Sequence, residues 1–147
     1  MIDIVLAFLG SLSLAVIFNV GRNRFFWAGL SGAAGWIAYS YLYWMTGQVI
    51  LSTFVGAVVV GLYSETAARC LKCPATVFSI SGIFPLVPGI GAYQTVEYLV
   101  SDDLAQSASK GIETLASAGC IALGIMLMSA VFRVMKKLKE NRKLRKY

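Results

Sequence analysis

The chain has 147 residues, of which 58% are hydrophobic and only 14% are charged, and its mean hydropathy is +0.72. A soluble domain carries roughly 25% charged residues, so this chain lacks the polar surface that a water-soluble protein of its size needs. The net charge is +6, but most of that excess lies in the tail from Arg133 to Tyr147. Such a tail favours contact with an anionic membrane surface over a nucleic-acid-binding domain. The composition therefore predicts an integral membrane protein.

Residue types that carry catalysis are scarce. The chain has three cysteines and no histidine. Cys70 and Cys73 form a C-x-x-C pair, which can indicate a redox pair or half of a zinc site, but only Cys120 remains to complete a four-ligand set. There is also no G-x-x-x-x-G-K-[ST] phosphate-binding motif. We therefore expect no catalytic residues, no metal and no cofactor, and an enzyme is the least favoured class.

Apolar residues fall in five blocks, each about as long as the roughly 20 residues that a transmembrane helix needs. The predicted spans are residues 2–20, 26–45, 49–67, 75–100 and 111–134, followed by a basic tail at 135–147. In the second span, small residues at i, i+4 spacing, such as Ala28 and Gly32, allow another helix to approach closely. The predicted fold is an all-α, polytopic membrane protein with five transmembrane helices in one domain.

The positions of the basic residues predict the orientation of the spans. If Arg22 and Arg24, Arg69 and Lys72, and the eight basic residues from Arg133 to Lys146 share one face, that face holds 12 of the 13 basic residues. Only Lys110 then lies on the other face. By the positive-inside rule the basic face is cytoplasmic. We expect a protein of the cell inner membrane with its N-terminus outside and its C-terminus in the cytoplasm.

The fourth predicted span is interrupted by two prolines, Pro85 and Pro88. A proline removes a backbone N–H and clashes with the carbonyl one turn back. With Gly89 and Gly91, the prolines predict two half-helices separated by a break at residues 85–91. Broken backbone at membrane depth persists only where protein or a water-filled cavity satisfies the freed polar groups, and such breaks often mark the substrate site of a transporter. The alternative is a kinked helix with no ligand.

The half-helix after the break offers free N–H groups and the positive end of a helix dipole, which suit a carboxylate. Gly89 and Gly91 would let a ligand approach the backbone, and Tyr93 offers a hydroxyl. The predicted substrate site therefore consists of Pro85, Pro88, Gly89, Gly91 and Tyr93, and its predicted ligand is a small carboxylated metabolite.

Four other polar residues are weaker candidates. Glu97 is the one carboxylate that falls well inside a predicted span. Burying a charged side chain in a membrane is costly, so such a residue is by default a functional candidate. It is a candidate for proton coupling, or it lies near the outer interface and is simply hydrated. Asn19, Ser52 and Thr53 are secondary candidates, which hydrogen bonds between helices explain equally well.

Several short segments resemble the threonine/serine exporter family, specifically its small five-span subunit. They are Phe18-Asn19-Val20, Ser52-Thr53-Phe54, Pro74-x-x-Val77-Phe78 and, above all, Ile83-Phe84-Pro85-Leu86-Val87-Pro88-Gly89 followed by Ala92-Tyr93. The resemblance extends over about residues 14–133, and the P-L-V-P-G-x-x-A-Y signature is its most specific part.

The resemblance implies gradient-driven export of small amino acids such as threonine or serine, or of dicarboxylates such as succinate. Within the family, one long chain can hold both halves of the exporter, or two chains can share the work. This chain resembles the C-terminal half, which implies a larger five-span partner chain or a homo-oligomer in contact with membrane lipids. The family signature maps onto Pro85, Pro88, Gly89 and Tyr93 here. The alternative function is a membrane assembly or regulatory subunit that transports nothing.

Overall fold

A computed structural model describes residues 2–144, with side chains for residues 2–138, and the regular structure of this part is helical throughout. The helices are α1 Ile2–Ile17, α2 Phe25–Thr46, α3 Val49–Cys70, α4 Thr76–Ile83, α5 Gly89–Val100 and α6 Leu104–Leu144. Short 3-10 turns lie at Arg22–Arg24 and Phe84–Leu86. The last residues of the predicted tail, 145–147, lie outside the described residues. The prediction of an all-α fold is confirmed.

The number of helices that can cross a membrane is smaller than predicted. Within the described residues, two helices are long and apolar enough, Val49–Cys70 and Leu104–Leu138, and a third crossing is possible if α4 and α5 form one bent span. The 16 residues of α1 extend only about 24 Å, less than the roughly 30 Å of the hydrocarbon layer. Helix α2 has 22 residues, but its glycines, serines, tyrosines and tryptophans reduce its hydropathy. Length and hydropathy therefore support two or three spans and not five.

Local signals in the sequence set several helix ends. Gly47 ends α2 in the left-handed conformation, with φ of 66°, and its N–H donates to the carbonyl of Tyr43 at 2.8 Å, as a glycine C-cap does. Asp103 precedes α6 and its carboxylate accepts the N–H of Gln106 at 3.1 Å, which is an N-cap bond. These caps fix the hairpin turns at the end of the bundle where α3 and α6 begin.

Small residues make the helix contacts close. An ideal Cβ on Gly124 of α6 would lie 2.9 Å from Cβ of Ala57 and 3.1 Å from the backbone N of Val58 on α3. On α2, a Cβ on Gly32 would overlap the hydroxyl of Ser11 on α1. The buried residues form two clusters: Ala15, Ala28, Ala67, Ala68 and Phe78 in one, and Ala57, Val60, Leu86 and Ile121 in the other.

The three basic segments predicted to share one face lie at the same end of the bundle. The cluster around Phe78 joins the end of α1 and the start of α2 to the end of α3 and the start of α4. Helix α6 reaches the same end, because Arg69 Nη2 donates to the carbonyl of Phe132 at 3.0 Å. We call this end the basic end. Helix α5 lies towards the opposite end, where it packs mainly against α6 and has no buried residue.

Adding one methyl group to Gly124 tests the close approach of α3 and α6. In Gly124→Ala the new Cβ meets backbone and Cβ atoms of α3 that cannot rotate away, so we expect the free energy of unfolding to fall by about 1–3 kcal/mol. Gly119, in the same helix, has no atom within 4 Å of its ideal Cβ, and Gly119→Ala should be neutral or stabilising because alanine favours helix. Melting temperatures in detergent measure both. Equal melting temperatures for the two variants would contradict this packing.

Candidate functional site

The break between α4 and α5 is shorter than predicted. It runs from Phe84 to Pro88, and Gly89 and Gly91 already belong to the first turn of α5. Val87 is extended, with φ of −61° and ψ of 126°, because the ring of a following proline disfavours the helical conformation. The helix therefore restarts immediately after Pro88, and the two half-helices meet at an angle of 45°.

A cavity of about 290 Å³ lies beside this break, at the lower end of the size range of small-molecule sites. We call it the broken-helix cavity. Its walls are Trp36 and Tyr39 of α2, Val49 and Thr53 of α3, residues 85–91 with Gln94, and Lys110, Glu113, Thr114 and Ser117 of α6. Apolar rings and prolines thus surround a small number of polar side chains, which is the usual composition of a site for a small ligand.

An ion pair lies in the wall of the broken-helix cavity. Lys110 Nζ and Glu113 Oε2 are 2.8 Å apart, and this is the only ion pair among the side chains of residues 2–138. The two side chains are 39% and 34% exposed, so both retain access to a ligand. A cation and a carboxylate held side by side can bind an anionic group, an ammonium group, or both at once.

Backbone N–H donors at the start of α5 also line the cavity. The N–H of Gly89 donates to the carbonyl of Val87 at 2.8 Å, and that of Ala92 donates to the carbonyl of Pro88 at 3.1 Å. The N–H groups of Ile90 and Gly91 belong to the first turn of α5, where helical N–H groups have no acceptor within the helix. Both residues line the cavity, and such a helix start favours an anionic ligand.

Helix α5 packs closely against α6 at Gly91, because glycine has no side chain. A Cβ on Gly91 would lie 2.6 Å from the hydroxyl oxygen of Thr114. That hydroxyl donates to the carbonyl of Lys110 at 2.7 Å, so moving it out of the way costs a hydrogen bond. One turn further on, the hydroxyl of Ser107 donates to the carbonyl of Thr95 at 2.8 Å. These contacts determine which face of α5 points at the cavity.

Four of the five residues predicted to bind substrate line the broken-helix cavity, namely Pro85, Pro88, Gly89 and Gly91. The fifth, Tyr93, is 69% exposed on the face of α5 that points away from α6. It does not line the cavity.

The four weaker candidates lie in different parts of the structure, and one of them lines the cavity. Thr53 lines the cavity, and its hydroxyl donates to the carbonyl of Val49 at 2.8 Å. Ser52 is buried but donates to the carbonyl of Gln48 at 2.7 Å and does not line the cavity. Glu97 is exposed on the outer face of α5. Asn19 lies at the basic end, where it follows α1 in the left-handed conformation, with φ of 51°.

Sequence reasoning missed the charged pair. The sequence analysis considered Lys110 only as the one basic residue on the face opposite the others, and it did not consider Glu113. The signal was present, since oppositely charged residues at i, i+3 near the start of an apolar helix are neighbours on one face. Gln94 also lines the cavity and was missed for a different reason, because the face of α5 that points inward depends on how α5 packs.

Apolar helices, two of them long enough to cross a bilayer and one pair bent at a break, are the features of a helical membrane protein. The chain belongs to the family described as Threonine/Serine exporter, ThrE, whose model matches residues 3–131. Membership of this family and the apolar helices together support a membrane location and a role in transport.

One curated relative is an uncharacterized protein of Haemophilus influenzae. It is 24% identical to this chain over 138 residues, which cover 88% of this chain and 46% of the relative. The chain therefore spans about half the length of that relative. No solved structure matches the chain.

Alanine at Gly91 tests the contact that positions α5. Gly91→Ala forces the Thr114 hydroxyl to rotate and breaks its hydrogen bond, at a cost of about 1 kcal/mol. We expect the amides of α5 to exchange with deuterium about fivefold faster as a result. Gly89→Ala is the matched control, because no atom lies within 4 Å of an ideal Cβ there. Unchanged exchange in Gly91→Ala would mean that this contact does not hold α5.

Proposed function

We propose that the chain is a subunit of a secondary exporter and that the broken-helix cavity is its site for a small carboxylated metabolite. The observation that carries the proposal is the Lys110–Glu113 pair in the wall of a cavity of suitable volume. Membership of an exporter family supports the same function. In this proposal an ion gradient drives the export, as the resemblance to the exporter family implies.

The chemistry of the pair favours an amino acid over a dicarboxylate such as succinate. The ammonium of Lys110 and the N–H groups at the start of α5 bind the substrate carboxylate, while the carboxylate of Glu113 binds the substrate ammonium. The second carboxylate of a dicarboxylate would instead face Glu113, and like charges at close range repel. The hydroxyl of Thr53, at the same cavity wall, can accept a hydrogen bond from the side chain of threonine or serine.

Tyr93 and Glu97 belong, in this proposal, to an interface with a second unit. Both lie on the exposed outer face of α5, where a carboxylate in contact with lipid would be costly. A larger partner chain or a second copy of this chain covers that face, and Glu97 exchanges the coupling proton there. The length of the Haemophilus influenzae relative, about twice this chain, supports a partner of similar size.

The basic end is cytoplasmic in the same proposal, by the positive-inside rule. Because α1 runs towards the basic end and α6 ends there, the start of α1 is outside and the end of α6 is in the cytoplasm of an inner membrane. The broken-helix cavity then lies nearer the outer side. Alternating access requires this unit to rock against its partner so that the cavity also opens to the cytoplasm.

Variants that remove one charge of the Lys110–Glu113 pair test the proposed site in an efflux assay. Cells preloaded with labelled threonine or succinate express the chain, alone and with a candidate partner chain. Lys110→Gln should reduce threonine export about tenfold or more, because it removes a charged hydrogen bond to the substrate carboxylate. Lys110→Arg should retain part of the activity. Glu113→Gln should reduce export of threonine far more than any export of succinate.

The matched control is Lys137→Gln, the same charge change at an exposed position of α6. It should export at the rate of the unmodified chain. Threonine export that persists unchanged in Lys110→Gln would reject the pair as the substrate site. Absence of efflux of any substrate, with both chains in the membrane, would favour the non-transporting assembly or regulatory subunit.

A further inference from the structure

A second cavity, of about 470 Å³, lies at the basic end of the bundle. Its lining residues are Glu65, Ala68, Arg69, Cys73, Ala75 and Lys136. They come from the last turns of α3, the start of α4 and the distal part of α6. No residue is shared with the broken-helix cavity, so this second cavity, which we call the basic cleft, has no part in the proposed substrate site.

The guanidinium of Arg69 is held in position at the edge of the basic cleft. Its Nη2 donates to the carbonyl of Phe132 at 3.0 Å, and the group stacks over the ring of Phe132 at 4.6 Å from the ring centre. A guanidinium has five N–H donors, so several remain for a ligand. Because contacts with Phe132 already order the side chain, binding an anion costs it little further conformational freedom.

The basic cleft holds two cations and one carboxylate. Within residues 2–138, Lys110 and Glu113 form the only ion pair, so neither Arg69 nor Lys136 pairs with Glu65 or with another carboxylate of that range. Two positive groups and one carboxylate give the cleft a net positive charge, which favours an anion. Arginine and lysine together are the usual ligands of phosphate oxygens.

An exposed apolar side chain shares a helix face with Arg69. Leu62 precedes Arg69 by seven residues, which is about two turns of α3, so the two residues lie on one face of the helix, and Leu62 is 47% exposed. A phospholipid has a phosphate above its acyl chains. Cations at the end of apolar helices, with an exposed aliphatic side chain on the same helix face, match this arrangement. Basic pockets between membrane helices bind the head groups of anionic lipids in this way.

We propose that the basic cleft binds the phosphate of an anionic membrane phospholipid through Arg69 and Lys136, with an acyl chain along Leu62. The carboxylate of Glu65 accepts a hydrogen bond from a head-group hydroxyl. A free phosphate ion shares the first part of this chemistry but not the contact with the apolar surface.

The test compares two neighbouring lysines in the purified protein. Lys136 lines the basic cleft and Lys137 does not, so Lys136→Gln and Lys137→Gln make the same change in net charge at different places. Lys136 is preferred to Arg69 because Arg69 also contacts Phe132 and its loss could disturb the fold. Melting temperatures are measured in detergent with increasing phosphatidylglycerol, with phosphatidylcholine, and with inorganic phosphate.

Phosphatidylglycerol should raise the melting temperature of the unmodified protein and of Lys137→Gln at the same concentration. The concentration needed should be about tenfold higher for Lys136→Gln, because one charged contact to the phosphate is lost. Equal weakening in both variants would overturn the proposal in favour of diffuse attraction to the basic helix. Equal protection by phosphatidylcholine would also overturn it. Equal protection by inorganic phosphate would support the phosphate contacts and overturn the lipid as their source.

Discussion

Two prolines impose the constraint on which the rest of the structure depends. Pro85 and Pro88 have no N–H to donate, and Val87 between them is extended, so α4 cannot continue as α5. Helix α4 packs against α2 and α3, whereas α5, beyond the 45° bend, packs mainly against α6. The space that this change of partner leaves between α2, α3 and α6 is the broken-helix cavity.

The two ends of the bundle differ in how tightly their helices pack, because α4 and α5 pack against different helices. At the basic end, alanines such as Ala15, Ala28 and Ala67 are buried between four helices, and charged groups remain at the surface. Towards the other end, α5 has no buried residue, and the ion pair of Lys110 and Glu113 reaches a cavity. We propose a small ligand with opposite charges for the cavity near α5, and a lipid phosphate for the basic end.

Features that act within a few residues could be predicted from the sequence. The break at Pro85 and Pro88 is one of them, because a proline restricts its own residue and the one before it. Gly89 and Gly91, predicted to let a ligand approach the backbone, line the cavity beside this break, and their role in binding stays a prediction. Small residues on α2, such as Gly32, indicated close helix contacts, since a missing side chain is visible in the sequence itself.

Features that depend on how helices pack could not be predicted in this way. The face of α5 that points inward follows from contacts between Gly91 and Thr114 and between Thr95 and Ser107. No local signal reveals them, which is why Tyr93 was expected in the cavity and lies outside it. Lys110 and Glu113 line the cavity only because α6 runs in the same direction as α3, with Gly124 against Ala57. The predicted count of five spans treated short or mixed helices such as α1 as sufficient, although α1 is too short to cross the bilayer unaided.

Protection of a single cysteine by substrate tests the central claim, that the broken-helix cavity binds the transported molecule. The three native cysteines, Cys70, Cys73 and Cys120, are first replaced by serine. Gln94→Cys then introduces a thiol in the cavity wall, and Ser101→Cys introduces one at the exposed end of the same helix. Threonine should slow modification of the thiol at position 94 by a water-soluble reagent and leave the rate at position 101 unchanged. Equal rates at position 94 with and without threonine, serine and succinate would contradict the account.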